Sequence, residues 1–288
     1  MKRKLISQRD SLTLTLPKEW TTAQNLKAGD EIDLGISEES LILNNYKKEE
    51  KREYTLDISN LSDECIRNVL NSLYILSATK IIIRANKESK LLLCKKLTSL
   101  FLVGFEISEE RKDEVVLEAL AVPSQDNFDK FFSKFWNFLE FDLEALTKMK
   151  EDKDIDYNEE IKRDTKKVTQ YSNICKRILL NNLIKNTEKS VLLEVISYLE
   201  EVNHLIFHVF QDNIKITRIE AEVVKEIFFS IRKGYFKKDI AELNHAQEKI
   251  LKSKKDIQKS PYLFAIIRNL YGLSNIILEL ALPIQKQQ

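Results

Sequence analysis

The 288-residue sequence is poor in glycine, cysteine and long apolar runs, and each shortage excludes a class of protein. Its five glycines form no Gly-rich phosphate loop and no Gly-x-Ser-x-Gly motif, and neither His-Glu-x-x-His nor an acidic calcium loop occurs. We therefore expect no enzyme, no catalytic residue and no cofactor. Three cysteines, Cys65, Cys94 and Cys175, an odd number without a Cys-x-x-Cys pair, predict buried thiols in a reducing compartment. No run of eighteen apolar residues and no apolar signal core occur, so we expect a cytoplasmic protein without membrane insertion.

Net charge is also small. The 46 basic and 45 acidic residues give a formal charge of +1, so attraction to a polyanion must come from a local patch. Hydrophobic residues at 43% and charged residues at 32% are typical of a soluble globular protein. The length suggests two or three domains.

Residues 1–46 predict a small unit of alternating strands. Leu12, Leu14 and Leu16 alternate with threonines, as in a strand with one buried face, and Pro17 ends that strand. A short helix then precedes the Gly29-Asp30 turn and further strands at about 31–34 and 41–43. A unit of about 45 residues rarely closes its own core, so we expect a second copy to complete it.

The rest of the chain changes its pattern of apolar residues near Pro123. Residues 53–122 read as β-α-β-α-β-β, which is typical of a small α/β domain. After Pro123, apolar residues repeat at steps of three and four, and Gly234 is expected to separate the fourth and fifth helices. Six helices with short connections predict a helical bundle over residues 124–283.

Two families resemble parts of this sequence. A basic N-terminus, an alternating strand, Leu-Pro-Lys-Glu-Trp, a short helix and Leu-x-x-Gly-Asp-x-Ile-x-Leu resemble the AbrB/MazE/SpoVT family. In that family two chains interlace their hairpins into one DNA-binding barrel. The family usually has a glycine just before the first long strand, where this sequence has Arg9-Asp10.

Residues 124–283 resemble PhoU, the phosphate-uptake regulator built from two three-helix bundles, in helix number and length and in the stretches 198–204 and 260–273. Archaeal regulators join the two parts through a small α/β segment in the same order. The resemblance implies a multidomain α+β protein: a swapped-hairpin β-barrel domain (1–46) that forms a homodimer, a small α/β domain (53–122) and a PhoU-like six-helix bundle (124–283). It also implies a DNA-binding transcriptional regulator of phosphate uptake, whose bundle senses a signal or docks a protein partner.

Basic residues near the N-terminus are the candidate ligands for double-stranded DNA. Residues 1–30 contain six basic and three acidic groups, a local excess of three that a dimer would double. An ordinary solvated surface would account for the same charges. The alternative function is an interaction or scaffold protein, antitoxin-like or transporter-associated, which the hairpins only dimerise. The candidate DNA-binding residues are Lys2, Arg3, Lys4, Arg9 and Lys18.

One helical stripe contains weak candidates for a metal site. PhoU-like proteins carry Glu/Asp-x-x-x-Asp metal motifs, yet here a histidine takes the second position, and the last helix has Tyr271 and Asn275 where carboxylates are expected. Too few charged ligands remain, so we expect no stoichiometric metal in the purified protein. The weak candidates, spaced at i, i+4 and i+8, are Glu200, His204 and His208.

Overall fold

The chain forms two compact units, residues 1–51 and 52–288, each described separately here. A computed structural model describes residues 3–36, 41–44, 52–121, 123–148, 157–181, 186–257 and 260–281. The expected DNA ligand Lys2 lies outside them. The fold is α+β with a helical C-terminal region, which confirms the coarse fold class.

Two antiparallel hairpins make up the first unit. The strands β1 and β2 pair with each other, and β3 pairs with β4. In the described residues of this unit neither hairpin pairs with the other, so they contain no closed barrel. The basic N-terminal segment forms a strand that the sequence did not predict, and the strand expected at 31–34 begins at Asp33. The elements are β1 (Leu5–Gln8), β2 (Ser11–Leu14), α1 (Lys18–Ala23), β3 (Asp33–Ile36) and β4 (Leu41–Asn44).

The second unit begins with a four-stranded sheet. Its strand order is β5-β6-β8-β7, with β5 parallel to β6 and β8 antiparallel to both of its neighbours. Both crossovers move in the same direction across the sheet, so their helices cover the same face. The predicted β-α-β-α-β-β order is therefore found. The elements are β5 (Glu53–Asp57), α2 (Asp63–Ile75), β6 (Lys80–Arg84), α3 (Glu88–Phe101), β7 (Phe105–Glu110) and β8 (Glu114–Ala119).

Six helices follow in the described part of the chain, as the apolar periodicity predicted. The first three pack against one another, the last three do the same, and α6–α9 and α4–α7 contacts join the two groups. The helices are α4 (Phe128–Lys148), α5 (Tyr157–Asn181), α6 (Asn186–Gln211), α7 (Arg218–Lys237), α8 (Ile240–Ile257) and α9 (Pro261–Ala281).

The role expected for Gly234 is wrong. Helix α7 continues through it to Lys237, and Lys238, with a φ of +52°, forms the left-handed cap. A Cβ at Gly234 would lie 2.6 Å from the Leu243 side chain, so glycine is needed here because α8 packs closely against α7. Gly272 has a similar role, since a Cβ there would lie 2.5 Å from the Tyr198 ring on α6.

Helix α5 connects the sheet region to the other helices by packing against α2 and α3. Its Arg177 is 1% exposed. The guanidinium donates to the carbonyl oxygens of Tyr74 at 2.6 Å and Ala78 at 3.0 Å, at the end of α2, and lies over the Tyr74 ring. The expected boundary between residues 122 and 124 therefore falls inside one compact unit.

One described helix, α9, is long and apolar enough to cross a membrane by length and composition alone. Its buried side chains, including Leu263, Ile266 and Leu270, lie in the hydrophobic core that the helices share. The core helix of a soluble protein has the same properties, so α9 is weak evidence for a membrane span.

Candidate nucleic-acid interface

The first hairpin has one apolar face that the described residues of its own unit leave exposed. Leu5 pairs with Leu14 and Ser7 with Leu12 in the register, so the three leucines share a face. Their side chains are 60%, 40% and 67% exposed for Leu5, Leu14 and Leu12. The alternation predicted a buried face, and within this single copy that face is open.

The second hairpin repeats this arrangement. Leu34 pairs with Leu43, and Leu41 lies two residues before Leu43 on the same side. Leu34 and Leu41 are each 54% exposed. Among the described residues of this unit whose burial is assigned, none is buried. The unit therefore has two amphipathic hairpins and no core of its own in these residues.

The turn between β1 and β2 places Arg9 in an unusual backbone conformation. Gln8 pairs with Ser11, which leaves Arg9 and Asp10 as a two-residue turn, and Arg9 has a φ of +53°. This left-handed region favours glycine and costs another residue about 1 kcal/mol. The Ser11 hydroxyl donates to the Gln8 carbonyl at 3.0 Å, and the Thr13 hydroxyl donates to the Gln8 side chain at 2.8 Å. The turn thus forms without the family's glycine and presents an arginine at its tip.

The described candidate DNA ligands are all exposed on this unit. Arg3 and Lys4 precede β1, Arg9 occupies the hairpin turn, and Lys18 is the first residue of α1. They lie at the start of the chain, at a turn and at a helix start, where their cationic groups reach solvent. Exposed cations of this kind are the groups that contact a phosphate backbone in DNA-binding proteins.

The three weak metal candidates separate into two groups. Glu200 accepts hydrogen bonds from Ser172 and Lys176 of α5, so its carboxylate is engaged on that side of α6. His204 and His208 instead meet each other, with 3.1 Å between their Nε2 atoms. No group of three or more His, Cys, Asp or Glu side chains that could hold a metal occurs in the described residues. The expectation of a metal-free protein remains a prediction.

No protein-family model, no curated protein and no solved structure matches the chain. Any function must therefore be supported by the geometry of the chain itself.

A buried polar cluster among α4, α5 and α6 was missed in the sequence. Asp142 is fully buried, accepts a hydrogen bond of 2.7 Å from the Asn203 amide, and has an Oδ1 atom without a partner among the described residues. Burial, with the nearby Asp164 carboxylate adding to it, raises the pKa of Asp142 to about 8. At neutral pH the neutral acid predominates, so the unpartnered oxygen can carry the proton. The sequence pattern could have revealed this residue, because Asp142 lies within the apolar stripe of Leu139, Leu143 and Leu146.

Proposed function

We propose that the chain is a DNA-binding transcriptional regulator, in which the hairpin units of two copies interlace into one barrel that contacts DNA. The observation that supports this most is the pair of uncovered apolar hairpin faces. Full burial of a leucine side chain contributes about 1.5–3 kcal/mol. Burial of the exposed leucines of both hairpins would therefore stabilise a dimer strongly relative to a single copy. These leucines are Leu5, Leu12, Leu14, Leu34 and Leu41.

A second copy is the occupant that these faces fit best. Both hairpins present leucines, so the unit complements itself, as a two-fold dimer interface requires. A unit of this size also sits at the limit below which a domain needs a partner to bury enough surface. Interlacing would join β1–β2 of one copy to β3–β4 of the other.

DNA is the partner that the rest of the unit supports. A dimer would carry two copies of Arg3, Lys4, Arg9 and Lys18, all exposed. Arg9 is the most informative of them, because a residue held in a strained conformation at a turn is commonly retained for a function. A glycine there would relieve the strain but remove the positive charge.

The helical region is proposed to sense a signal or to dock a protein. Its two groups of three packed helices agree with the two three-helix bundles of PhoU-like proteins. The link to phosphate uptake and the cytoplasmic location belong to the proposal through that resemblance.

The test is fluorescence anisotropy of the full chain on labelled genomic duplexes across a salt series. The candidate residues become about ten in a dimer, and if half of them contact phosphates, log K against log salt should have a slope of about −4 to −5. Lys4→Ala and Arg9→Ala should each make the slope shallower by about 1 to 2, because a dimer loses two contacts. Lys166→Ala, an exposed lysine of α5, is the matched control and should leave the slope unchanged.

The outcome also decides between the two functions. A dimer that shows no affinity for duplex DNA at about 50 mM salt, where phosphate contacts are strong, would replace this proposal with an interaction or scaffold protein dimerised by its hairpins. A chain that is monomeric by light scattering at micromolar concentration would contradict both.

A further inference from the structure

We propose that His204 and His208 form an open two-histidine site for a divalent transition metal ion of the Ni²⁺, Cu²⁺ and Zn²⁺ group. The site does not depend on DNA binding or on the hairpin unit. Both histidines lie on α6, four residues apart and one turn above each other. Imidazole nitrogen is a ligand that these ions favour.

The separation of the two nitrogens is the main observation. The Nε2 atoms are 3.1 Å apart, and the ring planes are nearly perpendicular at 89°. Metal–nitrogen bonds of about 2.0–2.1 Å place two ligand atoms about 2.9 Å apart at a right angle and about 3.3 Å apart at the tetrahedral angle. The observed separation lies between these values, so one ion can reach both nitrogens when it replaces the proton that lies between them, which moves to Nδ1 of the same ring.

A carboxylate lies beside the other ring nitrogen of His208. The Asp212 carboxylate lies 3.7 Å from Nδ1 of His208, which is too long for a hydrogen bond, and the Tyr262 hydroxyl donates to the same carboxylate oxygen at 2.8 Å. The Tyr262 ring also stacks on His208 with 6.3 Å between centroids. A shift of about 1 Å would let Nδ1 donate to this carboxylate, which orients an imidazole and makes its other nitrogen a better ligand. Asp212 and Tyr262 are therefore assigned as positioning residues of the ion-bound site.

The site differs from the stripe expected in the sequence. Glu200 is engaged with Ser172 and Lys176 and is not a ligand here. The described residues supply no third ligand, so the remaining coordination positions would be filled by water or by a group from a partner. Two protein ligands hold an ion less tightly than the three or four of catalytic and structural zinc sites, so the purified protein can be free of metal and still bind added ion.

Calorimetric titration of Ni²⁺ into the full chain tests the site. The protein carries no polyhistidine tag and is first treated with a chelator; Ni²⁺ avoids oxidation of the partly exposed Cys65 thiol by Cu²⁺. We expect one ion per chain, and binding at least tenfold weaker in His204→Ala and in His208→Ala. His245→Ala is the matched control, because His245 is the remaining histidine of the chain and is also exposed. It should bind like the wild type.

A second variant separates positioning from folding. Asp212→Asn keeps an acceptor for the Tyr262 hydroxyl but removes the charge beside His208, and should weaken Ni²⁺ binding by about tenfold while the urea unfolding midpoint stays unchanged. Equal affinities in the wild type and His204→Ala would overturn the site and leave a simple hydrogen bond between two imidazoles. Loss of binding in His245→Ala would place the ion elsewhere.

Discussion

In the hairpin unit Leu12 is 67% exposed, whereas in the larger unit the guanidinium of Arg177 and the carboxyl of Asp142 are hidden from water. The two units thus reverse the usual placement of apolar and polar groups, for different reasons. A short chain cannot enclose its leucines without a partner. A long chain with a large core can afford a few buried polar groups, provided that most of their atoms find hydrogen bonds.

The largest effect on this difference between the units is expected when the apolar face of the first hairpin is made polar. In Leu12→Asp with Leu14→Asp, a dimer would lose the burial of the exposed parts of four leucines, 67% of Leu12 and 40% of Leu14 in each copy. This amounts to roughly 3–6 kcal/mol, which corresponds to a loss of association of about 10²- to 10⁴-fold. Light scattering should show the monomer mass at micromolar concentration, and duplex binding should disappear.

The matched control makes the same change in the larger unit. Leu76 and Leu92 are exposed to a similar degree, 50% and 53%. Leu76→Asp with Leu92→Asp should therefore leave the mass unchanged. If both double variants remained dimeric, the dimer would form through the larger unit, and the contrast between the two units would fail.

The next largest effect is expected at Arg177. Arg177→Met keeps most of the packing but removes a donor from two carbonyl oxygens. The Tyr74 carbonyl still accepts from the backbone N–H of Ser77, so it loses one hydrogen bond at about 1 kcal/mol, whereas the Ala78 carbonyl loses the guanidinium at about 1–3 kcal/mol. We expect the free energy of unfolding of the larger unit to fall by about 3 kcal/mol in urea titrations. Arg67→Met, which removes an exposed arginine that contacts Glu64, should change it by less than about 0.5 kcal/mol. If Arg177→Met and Arg67→Met lost similar free energies of unfolding, the buried arginine would contribute no more to stability than the exposed one.

A pH-dependent effect of similar size is expected at Asp142. Its pKa is raised from 3.8 to about 8 in the folded chain. Because the unfolded state ionises first, the stability that the neutral acid provides is complete below about pH 4 and is lost as pH rises towards 8. Asp142→Asn should therefore match the wild type near pH 4, exceed its stability near pH 6 by about 3 kcal/mol, and exceed it by more at pH 9. Parallel stability curves for the two proteins from pH 4 to 9 would contradict the raised pKa.

The smallest effect is expected at Arg9, in the turn of the first hairpin. Arg9→Gly relieves the left-handed backbone and should stabilise the hairpin by about 1 kcal/mol. The same change removes a charge that faces DNA, so the salt slope should become shallower by about 1 to 2. A variant that is more stable and also binds DNA more weakly would show that the strain is retained for the charge. Unchanged DNA binding would remove Arg9 from the interface.

The sequence predicted the parts of the fold that depend on long, regular patterns. The six helices after Pro123 repeat apolar residues over five or more turns, and the strands of the sheet are short apolar runs between clear breaks. Strand β1 was missed because Leu5-Ile6-Ser7-Gln8 has no clean alternation, and its pairing depends on a turn that Arg9 makes without glycine. Gly234 was misread because the side chain that requires it, Leu243, belongs to another helix.

The candidate sites were predicted less well, since they depend on partners across helices. Spacing alone put Glu200 in one stripe with His204, but Lys176 on α5 holds its carboxylate. Asp212 and Tyr262 complete the surroundings of His208 from outside that stripe, and no sequence pattern joins residues fifty positions apart. The DNA contacts predicted for the basic residues of the first unit stay a prediction; Arg3, Lys4, Arg9 and Lys18 are exposed, as lysine and arginine usually are.

The contact made by Arg177 also bears on how this chain can be divided. The guanidinium comes from the helical segment and its carbonyl acceptors come from the sheet segment, 103 and 99 positions earlier. A sheet segment expressed without the helices would expose the Ala78 carbonyl that Arg177 reaches. Helices expressed without the sheet segment would expose the apolar surroundings of Arg177 and leave its cation without these acceptors. A chimaera joined near residue 123 would therefore lose contacts on both sides, and the two segments are best kept together as one folding unit.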